Sequence, residues 1–240
     1  MNRETTMDNN ASAIGSLLNI FVDPRKTLTD IRGHNGWLWY PLLLVLVANA
    51  ALQVWYAQKV DVSWFAEQTL APSAANMTAD QLREAQGRFS TGSMMFFGLV
   101  GNVFIFGWYL VQALYFFLAA KVGGYQQQGF GAWLSFISWT SFPAILGVLA
   151  TAIFMLTSSS RQISPVDIDV TSLNTLLFHV PYAHKGQFIA SSLRITTIWS
   201  WVLMTIGVSA WTGKSIGRSA VVTLLPYALL YAVFVLIAVL

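Results

Sequence analysis

Residues 94–120, MMFFGLVGNVFIFGWYLVQALYFFLAA, contain no Asp, Glu, Lys or Arg. A helix of about 20 largely apolar residues crosses the hydrocarbon core of a bilayer, and a stretch this long and uncharged reads as such a span. Residues 38–57, 132–156, 195–211 and 220–240 read the same way. Two long polar stretches (58–93 and 157–194) and two short ones (121–131 and 212–219) separate the five. The pattern predicts an all-α, polytopic membrane helical bundle with five transmembrane helices.

The rest of the composition agrees. Of 240 residues, 55% are apolar and 10% charged, whereas a soluble domain carries about 25% charged residues. Disorder is excluded, since it needs low hydrophobicity and high charge. The absence of cysteine removes disulfides, thiol nucleophiles and thiolate metal sites. A pI near 9.3 invites a nucleic-acid reading, but the net charge is only +3. The longest basic run is Arg25-Lys26, so no nucleic-acid footprint is present.

Ahead of the first span, Ile14, Leu17, Leu18 and Phe21 follow i, i+3, i+4, i+7 and share one face of a short helix. Asp23-Pro24 then supplies an N-cap and a first-turn proline for a second helix carrying Leu28 and Ile31 on one side. Such a pair is amphipathic and interfacial, with Arg25, Lys26 and Arg32 placed to meet anionic lipid head groups. Phe21, Asp23, Pro24, Arg25 and Lys26 form the expected interfacial anchor. Residues 1–36 therefore read as a tail and 37–240 as the transmembrane domain. Trp37, Trp39 and Tyr40 make an aromatic belt at the boundary. Ala48-Asn49-Ala50 resembles a signal-peptidase site. With 37 residues ahead of the apolar run, which continues past the triplet, the segment reads as a retained helix.

No ionisable residue falls inside a span, and Arg194 stands at a span end, from which it can snorkel outward. This argues against ion-coupled pumping. The intramembrane polarity is uncharged: Asn49 and Gln53 in the first span, Asn102 and Gln112 among Gly98, Gly101 and Gly107 in the second, and Ser135, Ser138 and Ser141 in the third. Amides and small residues of this kind pack helices together; the alternative is the lining of a polar path. Pro41, Pro143 and Pro226 fall in alternate spans, and the latter two are expected to bend theirs.

In the second long polar stretch, Asp167, Asp169, His179 and His184 are the weak candidates for a divalent-cation site. The histidines are five apart with Pro181 between them, so one helix face cannot present both, and neither metal nor cofactor is expected. No H-E-x-x-H, G-x-S-x-G or phosphate-cradling loop occurs, and no enzymatic activity is expected. With the amino terminus inside, the inner segments hold seven basic residues against six outside, in shorter segments. The positive-inside rule then favours a cytoplasmic amino terminus and an external carboxyl terminus.

Asn19-Ile20-Phe21-Val22-Asp23-Pro24, followed by Trp39-Tyr40-Pro41-Leu42 at the head of the first span, resembles the opening of Yip1-domain membrane proteins. Lys121-Val122-Gly123-Gly124, Phe142-Pro143 and Ile198-Trp199 are similar to that family as well. The resemblance runs from about Leu17 onward and implies five spans with a cytoplasmic amino terminus. Eukaryotic members are associated with Golgi trafficking, Rab GTPase binding and mutual association. This chain lacks their Asp-Leu-Tyr-Gly-Pro element, so the resemblance implies a bacterial inner-membrane relative rather than a GTPase partner. It carries over no catalytic residue. The expected function is non-enzymatic, a scaffold or a bilayer-shaping, trafficking-like factor. It would act through helix association with membrane lipids, its own copies or other membrane proteins. The alternative is a small transporter, channel or lipid-moving protein.

Overall fold

The computed structural model describes residues 12–125, 128–164, 166–181 and 184–239. The extreme tail, with Arg3, Glu4 and Asp8, and the last residue of the fifth expected span, Leu240, lie outside the described residues.

Among the described residues, five helical segments are long and apolar enough to cross a membrane, and each begins and ends within four residues of its expected bounds. The first is α3 (Trp39–Lys59) with its lead-in turn, the second α6 (Thr91–Val122), the fourth α10 (Ile195–Thr212) and the fifth α11 (Ile216–Val239). The third span is not one helix. It divides into α7 (Phe130–Thr140) and α8 (Ala144–Thr157) at Ser141-Phe142-Pro143. Pro143 lacks the N–H that would bond the Trp139 carbonyl, and Phe142 N–H takes that carbonyl instead at 3.2 Å. The two halves are thereby joined by tight turns rather than by a continuous ladder.

Local signals explain most of the shorter elements. Helix α1 (Ala13–Val22) is capped by Ser12. Helix α2 (Pro24–Asp30) starts as its sequence predicts, the Asp23 carboxylate accepting from Lys26 N–H at 3.1 Å. Beyond the first span lies a polar hairpin of α4 (Val62–Ala74) and α5 (Ala79–Gly87). Thr78 and Gln81 close a capping box on α5. Ser90 and Ser93 do the same for α6, which is why the second span starts earlier than hydropathy alone suggests.

Helices α3 and α8 run side by side in the same direction. At one end Ser138 Oγ donates to Leu38 O at 2.8 Å. At the other, Lys59 Nζ donates to Met155 O and, at 2.7 Å, to Ser158 O. The first span therefore begins only at the level of Ser138, and most of α7 extends past it. That corner is filled by α2 and the turns at 31–38, which pack on α10 and α7. Ile20, Leu28 and Ile31 are fully buried in the same core as Leu42, Phe116, Trp133, Phe136 and Trp211. The amphipathic pair exists, but protein rather than lipid covers its buried side, and the face expected on α1 is divided: Leu17 and Phe21 pack on the core, whereas Ile14 and Leu18 face outward. Helix α1 turns its other side outward, leaving Ile14, Leu18 and Val22 at 71%, 74% and 83% exposure.

The stretch after α8 does not simply cap the bundle. Thr151 Oγ1 donates to Ile168 O at 3.0 Å, and a Cβ on Gly147 would meet Thr171 Oγ1 at 3.4 Å. Both residues lie well short of the end of α8, so residues 168–171 descend beside its middle. Their neighbours bond to the start of α10, Leu173 N–H to Leu193 O at 2.7 Å and Ile195 N–H to Thr171 O at 3.0 Å. Irregular backbone at membrane depth survives only where protein satisfies it, and here it is satisfied in this way. A π turn at Asn174–Phe178 and the short α9 (Gln187–Ser192) complete the segment.

Candidate functional site

The uncharged polar residues of the spans fall between helices. Asn49 Nδ2 of α3 donates to Asn102 Oδ1 of α6 at 3.1 Å, and the Asn102 amide leans back toward Gly98 O at 3.5 Å. One turn along, Gln53 lies so close to Gly98 that any Cβ there would sit 2.9 Å from Gln53 Cβ. Gly98 is thus the residue that lets α3 and α6 approach, and Asn49, Gln53 and Asn102 form one cluster on that seam. Gly101 and Gly107 have open space beside them and carry no such requirement.

A second cluster joins three spans. Tyr227 Oη of α11 donates to Gln112 Oε1 of α6 and approaches Met204 Sδ of α10 at 3.5 Å. Gln112 Nε2 in turn donates to Trp108 O at 3.4 Å. Beside it, Pro226 has no N–H for the carbonyl four residues back, Val222 O, and Tyr115 Oη of α6 donates to that oxygen at 2.6 Å. A kink-forming proline in one span is therefore completed by a tyrosine in another. Trp108, Gln112, Tyr115, Pro226 and Tyr227 also edge a small open cleft of about 40 Å³.

This pairing is directly testable. Tyr115→Phe strands Val222 O in an apolar setting and should cost about 1–3 kcal/mol. In the Pro226→Ala background the same substitution should cost much less, because Val222 O regains its helical donor. Thermal unfolding of the four proteins in lipid nanodiscs measures the coupling.

In the third span, Ser138 is consumed by Leu38 O, while Ser135 Oγ and the indole N–H groups of Trp133 and Trp139 are buried without a partner. Pro143 sits at the break and Phe142 beside it meets Phe21 with ring centroids 5.8 Å apart. Of the expected anchor, Phe21 thus packs inward, Asp23 and Pro24 start α2, and Lys26 pairs with Asp30 at 2.8 Å. That hydrogen bond and the Asp30 charge raise the Lys26 pKa above its usual value. Arg25 lies on the same helix, and the Gln128 amide faces the Arg32 guanidinium.

The metal candidates are not gathered. Asp169 accepts from Thr171 Oγ1 at 3.0 Å and pairs with Arg194, whereas Asp167 is exposed. His184 Nδ1 accepts from Gly186 N–H at 3.0 Å. His179 occupies a left-handed conformation with its ring near Leu177 O at 3.2 Å. Among the described residues, no three His, Asp or Glu side chains converge on one point. Arg194, at the start of α10, is half exposed and has Asp169 as its carboxylate partner. Tyr115, Tyr227, Lys59 and Trp211 escape a sequence reading. Only Pro226 hints at one of them, because an intrahelical proline advertises a carbonyl in need of a donor.

A family model described as Yip1 domain matches residues 18–237. The chain belongs to the Yip1-domain family. That match spans all five membrane helices and begins inside α1, so the docked amino-terminal pair is part of the Yip1 domain from Leu18 onward. Yip1-domain proteins are not known as enzymes. No curated protein and no solved structure matches the chain.

Proposed function

We propose that this Yip1-domain protein is a non-enzymatic integral membrane protein that works as a scaffold and shaper of the bilayer. The observation that carries the reading is where its intramembrane polarity goes. Asn49, Asn102, Gln112, Ser138, Tyr115 and Tyr227 all bond across helices, which rigidifies a bundle. Outward from that bundle, α1 offers Ile14, Leu18 and Val22 to the acyl chains of one leaflet. Among the described residues, the amino-terminal end carries six basic against two acidic side chains, and the opposite end six of each. The positive-inside rule then supports a cytoplasmic amino terminus in a bacterial inner membrane. Its partners are membrane lipids, further copies of itself or other membrane proteins.

A second reading, transport of a solute or lipid, draws on the broken third span and the segment at 168–171 beside α8, since discontinuous helices at depth build many transporter sites. Reconstitution into liposomes separates the two. The scaffold reading expects solute and lipid flux no faster than in protein-free vesicles. It also expects vesicle diameters, read by cryo-electron microscopy, that shift with protein loading. Ile14→Ser with Leu18→Ser and Val22→Ser should remove that shift. Flux that is abolished by Asn102→Leu would sink the scaffold reading in favour of transport.

A further inference from the structure

The charge asymmetry has a local focus. Lys121 ends α6, Lys214 lies between α10 and α11, and Arg218 stands in the first turn of α11, all at the amino-terminal end. Their positions are built rather than incidental. Gly213, at φ 70°, turns the chain out of α10, and Ser209 Oγ donates to Lys214 O at 2.8 Å. The Lys214 ammonium then lies 5.2 Å above the Tyr125 ring, and Tyr125 itself is folded back by its N–H bond to Ala120 O at 3.1 Å. Gly123 makes room for that ring, since a Cβ there would come within 2.3 Å of it. Lys121 Nζ lies 4.5 Å over Phe117. Two of the three cations are thus held over aromatic faces at the ends of membrane helices.

Among the described residues, no carboxylate pairs with any of the three. The sequence has no Asp or Glu between Glu84 and Asp167 and none after Asp169, so α6, α7, α10 and α11 carry no carboxylate. At this end the described acidic residues are Asp23 and Asp30, and both are occupied, one capping α2 and the other pairing with Lys26. Immediately beside the cations, Val122 and Ile216 are exposed apolar side chains. A positive cluster that borders directly on exposed hydrocarbon fits a ligand with an anionic head and an apolar tail.

We propose that Lys121, Lys214 and Arg218 form a binding surface for anionic phospholipid head groups at the amino-terminal end of the bundle. The phosphate sits among the three cations, and the acyl chains run along Val122 and Ile216. Adjacent apolar surface favours a lipid over free phosphate, which has nothing to place there. The proposal does not depend on whether the protein scaffolds or transports, because flux and lipid preference are separate readouts.

Each basic residue beside an anionic membrane surface contributes about fivefold, so three give roughly a hundredfold preference at low ionic strength. The full-length protein would be extracted into nanodiscs with equal phosphatidylglycerol and phosphatidylcholine, and the lipids it retains counted by native mass spectrometry. Strong enrichment of phosphatidylglycerol is expected. It should fall towards parity in the Lys121→Gln, Lys214→Gln, Arg218→Gln protein and weaken with salt. Arg83→Gln with Arg88→Gln, at the opposite end and paired there with Asp80 and Glu84, should leave it unchanged. Inorganic phosphate at millimolar concentration should not displace the lipid. Should the triple variant fail to fold, Lys214→Gln alone, checked for an unaltered thermal transition, must still lose severalfold. Equal retention of the two lipids by the unmodified protein, displacement by free phosphate, or enrichment that survives the triple substitution would each overturn the proposal.

Discussion

Gly207→Val is expected to be among the most damaging single substitutions in this protein. Gly207 lies on α10 where that helix meets both α7 and α2. A Cβ there would sit 2.4 Å from Phe136 Cε2 and 3.1 Å from Leu28 Cδ1. Phe136 and Leu28 are both fully buried, so neither has space into which to withdraw. Overpacking a filled core costs about 1–3 kcal/mol and sometimes more. Here the cost is compounded, because relieving the clash means moving α2 off α10 and uncovering Leu28. The expected result is a much lower thermal transition in nanodiscs, together with faster proteolysis in the stretch 12–38. Gly207→Ala should show the same signs more weakly. A valine variant that unfolds at the temperature of the unmodified protein would show that α10 and α7 are not in this contact.

The second large effect is expected at Trp211. Its indole packs between Trp133 and Phe136, with ring centroids 5.1 and 5.0 Å away, and its N–H donates to Leu28 O at 2.6 Å. Truncating a buried tryptophan to alanine costs about 3–5 kcal/mol. Trp211→Phe keeps a ring in the cluster but strands the Leu28 carbonyl, at about 1–3 kcal/mol. Packing therefore dominates, and the phenylalanine protein should retain most of its stability while the alanine protein loses the docked α2. Protease susceptibility after Arg25 or Lys26 reports the docking, and circular dichroism reports the spans. If both variants lost equal stability, the hydrogen bond rather than the ring would be the principal tie.

Hydropathy made the spans legible because crossing hydrocarbon leaves little freedom: a helix must be long and uncharged, and only its ends can vary. The start of α2 was equally plain, since Asp23-Pro24 serves that one geometry well. The docking of α2 was not legible. Leu17, Phe21, Leu28 and Ile31 show the same amphipathic spacing whether lipid or protein covers them, and only the late start of α3 relative to Ser138 decides between the two. Pro143 announced a bend but not a break. The break depends on Phe142 capping Trp139 O and on Phe21 packing beside it, and Phe21 arrives from far away in the chain. The polar residues Asn49, Gln53, Asn102 and Gln112 could be picked out by type. Their partners could not, because pairing across helices depends on rotation and depth, which a mostly apolar helix leaves unmarked. Nothing in the composition of the segment at 168–171 separates a loop in water from one lodged against Gly147 and Thr151.

The tie between Leu28 and Trp211 joins residues 183 positions apart. During synthesis, α2 leaves the ribosome before any of the five spans, yet its docking surface on α10 exists only after the fourth span has been made and inserted. For most of that interval Ile20, Leu28 and Ile31 have no protein to cover them, and the nearest apolar refuge is the membrane surface. A helix made ahead of every span is thus among the last to be seated. Assembly of this bundle closes with α2 folding back onto the fourth span, and a nascent chain stalled before Ile195 would leave α1 and α2 parked on lipid.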